Sequence, residues 1–379
     1  MSARLALFYA ATFAIIGVQL PFWPVWLAAR GLGPEQIGVL LATASLARIV
    51  ASPALAPFAD RSGRRKPIII ALVAGTLAAT ALFAAVNGFW AIFAVTVLAA
   101  AFFTPLLPLA ESHTVIAARD HAIDYGRVRS AGSFAFIAAA TASGWLVARA
   151  GVSIVLWLTL IALALTVVAA TALPDLRTRP ATHARASLAL LTDRRFVLFV
   201  GAATLMQASH AVYYGFASIH WREVGLSDTL IGGLWSEGVI AEIVLFTLSA
   251  KVKLSPRSLL LIAAVAGIVR WCALGTTDAI WALALAQALH AFTFGASHLA
   301  AMRFIIATVP PEAGSTAQSL YFSLAGGIGQ ALFMAGAGVL YADWGAGAYF
   351  SMAVAALAGG VVALLTRRLS PLSPSPASA

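Results

Sequence analysis

The chain has 379 residues, of which 61% are apolar and only 10% charged, with a formal net charge of +10. Soluble domains carry about 25% charged residues, so this chain cannot cover a water-facing surface. Disorder is excluded as well, because it needs low hydrophobicity and high charge.

The single cysteine, Cys272, excludes a disulfide framework, a Cys-based zinc site and Cys-ligated clusters. The basic residues sit in short pieces between long apolar runs, which points to a membrane surface rather than nucleic acid. The first apolar run, Leu5–Ala28, is too long for a signal-peptide core and lacks a small-residue cleavage site, so it reads as a transmembrane helix. Crossing the bilayer takes roughly 20 mostly apolar residues. Such runs fall near 5–28, 36–58, 67–86, 89–113, 130–149, 152–173, 196–220, 229–250, 257–276, 279–307, 314–341 and 346–366. They are numbered below as spans 1 to 12.

The longest polar stretch, Pro174–Arg195, divides the spans six and six. This gives an N-terminal bundle over 1–173, a linker over 174–195, a C-terminal bundle over 196–368 and a disordered tail over 369–379. Lys and Arg crowd one side of the membrane, whereas the other side has only Arg30, Arg149 and Arg222. By the positive-inside rule both termini and the central loop are cytoplasmic. The expected fold is all-α and integral to the membrane, with twelve transmembrane helices in two six-helix halves. Two such halves joined by a cytoplasmic loop are the plan of the major facilitator fold. The loop Asp60-Arg61-Ser62-Gly63-Arg64-Arg65-Lys66 resembles that superfamily's cytoplasmic latch, with Asp60, Gly63 and Arg64 as its working residues. A positive-inside loop with a turn would account for the basic residues equally well. Ala56 stands where the signature has a glycine, and the matching loop Lys251–Arg257 lacks the aspartate.

An ionisable residue inside a membrane is a functional candidate by default. Glu111, Glu237, Glu242, Arg48, Arg270, Arg303, His210, His290 and His298 fall within spans. At 1.5 Å per residue, Glu237, His290 and Arg270 lie roughly 14–20 Å deep, near mid-membrane, on three successive helices. Together they offer acid, base and cation character; the bland alternative is a buried salt bridge that fixes helix packing. Gln287, His290, Phe294 and His298 share one face of span 10, and Gln207, His210 and Tyr214 one face of span 7, as walls of a wet cavity would. Gln19 of span 1 is grouped with these candidate substrate contacts. Glu111 ends a run that Pro105 and Pro108 should bend, and Arg129 opens span 5. Across the hairpin they form either an interfacial ion pair or a carboxylate–guanidinium site for a ligand's carboxylate or hydroxyls.

Several mixed polar and aromatic words carry a resemblance to a known group. They are Leu20-Pro-Phe-Trp-Pro-Val-Trp26, Pro105-Leu-Leu-Pro-Leu-Ala-Glu111, Asp124-Tyr-Gly-Arg-Val-Arg129, His210-Ala-Val-Tyr-Tyr-Gly-Phe216, Leu234-Trp-Ser-Glu237, Val269-Arg-Trp271 and His298-Leu-Ala-Ala-Met-Arg303. The chain resembles the phenylpropionate permease group of the major facilitator superfamily, a relative of the lactose permease group. The resemblance implies substrate binding by Glu111 and Arg129, with Phe136 where the lactose permease pattern has a sugar-stacking Trp. It implies proton coupling by Glu237, Arg270 and His290, with Thr293 where that pattern has a proton-carrying glutamate.

The expected function is proton-linked uptake of a small organic, aromatic acid such as 3-phenylpropionate across a bacterial cytoplasmic membrane, by a monomer in the lipid bilayer. A sugar or nucleoside symporter is the alternative, and a drug antiporter a weaker one. No nucleotide-binding loop is present, so the proton gradient rather than a cofactor is expected to drive the cycle. No catalytic motif such as HExxH or GxSxG occurs, which argues against an intramembrane enzyme or sensor.

Overall fold

The structure is a computed structural model, in which residues 1–121, 123–176, 190–251, 253–310 and 313–366 are described; within them, the side chains of residues 53, 56–61, 119–121, 250 and 315 are not. Every described element is helical or a turn apart from one isolated bridge residue. Eleven stretches are long and apolar enough to cross a membrane, and the last of them, Thr316–Leu365, turns at Gly345–Gly347 between two helices. The protein is therefore a twelve-span membrane protein.

Spans 1 to 3 are the helices Ser2–Ala29, Pro34–Ser62 and Arg65–Ala81. Span 4 breaks at Thr104-Pro105 into Phe89–Phe103 and Leu106–His121, the bend expected from its prolines. Spans 5 and 6 are Tyr125–Ala150 and Ile154–Thr171. Span 7 breaks at Ser209-His210 into Arg194–Ala208 and Ala211–Glu223. Spans 8 and 9 are Asp228–Leu248 and Pro256–Thr276. Span 10 runs from Ile280 to Thr308 through a π-helical segment, Ala291–Ala296. Span 11 has a second such segment, Ser323–Gly329, and leads into Gln330–Trp344. Span 12 is Ala348–Leu365.

Two helix ends differ from the hydropathy reading. Span 4 continues to His121, so Glu111 lies inside its second helix instead of ending the run. Span 5 starts at Tyr125, because the Asp124 carboxylate caps it by accepting a hydrogen bond from the Arg127 amide at 3.1 Å. Arg129 therefore sits in the second turn. A cut made at the first charge stops short, whereas backbone hydrogen bonding continues through charged residues once a cap is in place.

The chain forms two compact units, Met1–Ala181 with Tyr214–Glu237, and Thr182–Tyr213 with Gly238–Ala379. In the first, span 1 packs along spans 5 and 6, and span 3 along span 6. The second repeats this pattern, with span 7 along spans 11 and 12 and span 9 along span 12. The core of the first unit gathers Leu5, Phe8, Ile15, Ile69, Val73 and Leu163. Within the same unit the backbones of spans 5 and 8 touch. A Cβ on Gly144 would strike the Asp228 carbonyl oxygen, and one on Gly232 would strike that of Ala140. The Thr141 and Ser236 hydroxyls bond across this seam at 2.8 Å.

Candidate substrate and proton sites

The first site lies where spans 1, 4 and 5 meet. The cap at Asp124 places Tyr125 and Arg129 four residues apart, on one face of span 5. Arg129 Nε stands 3.3 Å from Glu111 Oε1, and the Tyr125 hydroxyl donates to Glu111 Oε2. The guanidinium carbon lies 4.3 Å from the Phe13 ring centre and 6.0 Å from that of Tyr9. Gly132 makes this stacking possible, since a Cβ there would come within 2.8 Å of the Phe13 ring. The Arg129 and Glu111 side chains keep 35% and 29% of their surface accessible, so a ligand can reach both. The expected pairing of Glu111 with Arg129 is present. Tyr9, Phe13 and Tyr125 are additional members; the i, i+4 spacing of Tyr9 with Phe13 and of Tyr125 with Arg129 is the signal that marks them.

Phe136, seven residues beyond Arg129, is only 5% exposed, and its carbonyl packs on Gly17 of span 1. It belongs to the core rather than to an open platform. Gln19 is half-buried on span 1.

The second site lies in the second unit, among spans 7, 8, 9 and 10. Arg270 is fully buried, and its guanidinium lies over the rings of Tyr213 and Trp271 at 4.5 and 4.7 Å. It donates to Gln287 Oε1 at 3.0 Å, Thr293 Oγ1 at 2.9 Å and His290 Nδ1 at 3.0 Å. An arginine can only donate, so His290 Nδ1 accepts and the neutral ring carries its proton on Nε2. That nitrogen faces Glu242 Oε2 at 3.9 Å. His210 Nδ1 lies 3.1 and 3.2 Å from the carbonyls of Met206 and Gln207 and must donate there, which leaves Nε2 to accept from Thr293 at 3.1 Å. Arg270, Thr293 and His210 thus form one directed hydrogen-bond chain.

Arg270 and His290 come together as expected, and Thr293 is the hub between them and His210. Glu237 is the last residue of its segment in the first unit, whereas the face of span 8 against span 10 carries Gly238, Glu242 and Leu245. Gln207 lies apart from the hub and donates to Ser297 at 2.9 Å. Tyr214 packs on Trp235 in the first unit. In the loop after span 2, Gly63 has φ +60°, a left-handed conformation that favours glycine. Arg64 pairs with Asp175 at 2.9 Å. The Asp60 side chain lies outside the described ones, so its role in the latch stays an expectation. In the second half Arg303 reaches out of its span to the Ser249 and Leu254 carbonyls at 2.6 and 3.1 Å.

Comparison with known proteins agrees with this architecture. Residues 2–352 match the MFS_1 like family. The chain is 36% identical over 360 residues to the "Probable 3-phenylpropionic acid transporter" of Escherichia coli (strain K12), covering 93% of this chain and 94% of that protein. It is 26% identical to the "Maltose permease" of Geobacillus stearothermophilus over 95% of this chain and 93% of that one. Among solved structures, the nucleoside transporter NupG superposes with a TM-score of 0.81 at 17% identity, over 97% of this chain and 99% of that one. The chain belongs to the MFS_1-like family of major facilitator transporters; it is a multi-pass membrane transporter and not an enzyme.

Proposed function

We propose that this protein takes up a small organic acid with an aromatic ring, 3-phenylpropionate being the reference compound, in symport with protons across a bacterial cytoplasmic membrane. The observation that carries the reading is the Glu111–Tyr125–Arg129 cluster stacked on Phe13. It occurs in a chain 36% identical to a protein described as a 3-phenylpropionic acid transporter. The cluster offers a guanidinium, a carboxylate, a hydroxyl and aromatic surface to one ligand. Substrate binding there and proton handling by the Arg270 network would be linked through alternating access.

We assign the travelling proton to Glu242, whose carboxylate faces His290 Nε2 at 3.9 Å. Arg270 occupies His290 Nδ1, so the ring cannot hold a second proton without breaking that contact. A carboxyl group beside Nε2 can accept one. Both termini are proposed to be cytoplasmic, with no cofactor and a monomeric working unit.

A sugar or nucleoside symporter is the second reading. A Glu–Arg pair is already neutral and suits hydroxyls as well as acids. Uptake into membrane vesicles separates the two. The proposal expects accumulation of labelled 3-phenylpropionate when the outside is acidified, abolished by a protonophore. Accumulation of maltose or a nucleoside, with 3-phenylpropionate ignored, would sink it.

A further inference from the structure

The midpoint of span 2 is an arginine. Arg48 is fourteen residues from either end of the helix Pro34–Ser62 and lies inside the apolar run 36–58, away from both of its ends. A charge at that depth is expensive, and charged residues there face the protein interior or a wet cavity. At about 100° per residue, Arg48 shares its face with Ile37, Ser52 and Leu55. Ile37 is 1% exposed, Leu55 packs on the core of the first unit, and the Ser52 hydroxyl points at the Thr104 carbonyl of span 4 at 3.5 Å. The exposed apolar residues Leu46 and Val50 lie about 160° away round the helix. Arg48 therefore points toward protein, not lipid, yet its side chain is accessible.

Among the described residues nothing hydrogen-bonds to Arg48 or pairs with it. The contrast with Arg129 decides how each binds an anion. Glu111 already partners Arg129, so a carboxylate binding that guanidinium has to share it with Glu111. At Arg48 the same carboxylate meets a fork of five N–H donors that has no partner among the described residues. Beside Ser52, the Thr104 hydroxyl at the break of span 4 is buried without a hydrogen-bond partner among the described residues, which adds a polar group at that level.

We propose that Arg48 is the anchor for the carboxylate of the transported acid. The division of labour follows: the acid end binds the guanidinium of span 2, and the Glu111–Arg129 pair is kept for other contacts and for positioning. This rests on the organic-acid reading of the substrate.

The test is equilibrium binding to the purified full-length protein of 3-phenylpropionate and of its neutral amide, 3-phenylpropanamide. Wild type should prefer the acid. Arg48→Gln should weaken acid binding by about 10- to 100-fold, the effect of losing one charged hydrogen-bonded pair, while binding the amide as before. Arg48→Lys should recover part of the loss, because the charge remains and the fork does not. Equal binding of the acid by wild type and Arg48→Gln overturns the proposal alone. So does an equal loss for acid and amide, which would mean a damaged fold. A wild type that binds maltose and neither phenyl compound overturns the organic-acid reading together with it.

Discussion

Substitution of single charges separates the two sites. Arg129→Lys keeps the charge but loses the planar fork and its stacking on Phe13. Substrate binding should fall about tenfold or more while the protein still inserts and folds. Glu111→Gln should also impair binding, since it breaks the pair and alters the acceptor for Tyr125. Unchanged affinity in both variants would reduce the cluster to a structural ion pair. For the proton, Glu242→Gln should abolish accumulation driven by a pH gradient yet leave substrate-for-substrate exchange intact, because exchange needs no net deprotonation. Glu237→Gln should accumulate substrate normally; the reverse pattern in vesicles would return the role to Glu237. The sequence makes both glutamates visible as intramembrane acids. Helical periodicity even shows that they point in different directions, being five residues apart. It cannot say which direction meets span 10, because that depends on tertiary packing. His290 lies against Gly238, on the face of span 8 that also carries Glu242.

Helix packing shows the same limits one level up. Gly144 and Gly232 read as small residues in apolar runs, and only the folded chain shows that they bring two backbones together. Gly144→Val should destabilise the protein by about 1–3 kcal/mol by overpacking the seam. Gly233→Val, where nothing lies within 4 Å of the added Cβ, is the matched control. Thermal unfolding in detergent should show a lowered midpoint for the first variant and little change for the second. Element existence was legible throughout, because each apolar run of bilayer length becomes a helix when no water is present to satisfy its backbone. Ends and interruptions were less so. The prolines announced the break in span 4. The break in span 7 had no such marker; there Ser209 and His210 bond back to the carbonyls of Met206 and Gln207.

At the scale of the whole chain, the distribution of Lys and Arg makes a prediction independent of any site. Reporter fusions after Arg64, Asp175 and Ser255 should be cytoplasmic, and fusions after Leu32, Gly225 and Asp343 external. An external reporter at Asp175 would overturn the orientation. The repeated packing of spans 1, 3, 5 and 6 by spans 7, 9, 11 and 12 was legible only as two sets of six runs. Pairwise contacts between helices leave no trace in hydropathy, whereas the polar linker between the sets does. Much of the first site could be read from chain order, since its key residues flank one short loop. The second draws on four separate helices, and hydropathy gives no sign that the Thr293 hydroxyl is its hub.

The π-helical segment of span 10 makes residue count, as distinct from residue identity, a variable there. Such a segment absorbs one extra residue while the flanking α-helical stretches keep the phase of a helix one residue shorter. Removing a residue from an ordinary membrane helix rotates everything beyond the cut. Removing Gly295 should instead heal Ala291–Ala296 into a regular helix and leave Ser297–Thr308 facing as before. Insertion and folding would survive, but Thr293 would lose the position that lets it touch both Arg270 and His210. A chain that is correctly inserted, full in abundance and silent in transport is therefore the expected product of a single codon deletion.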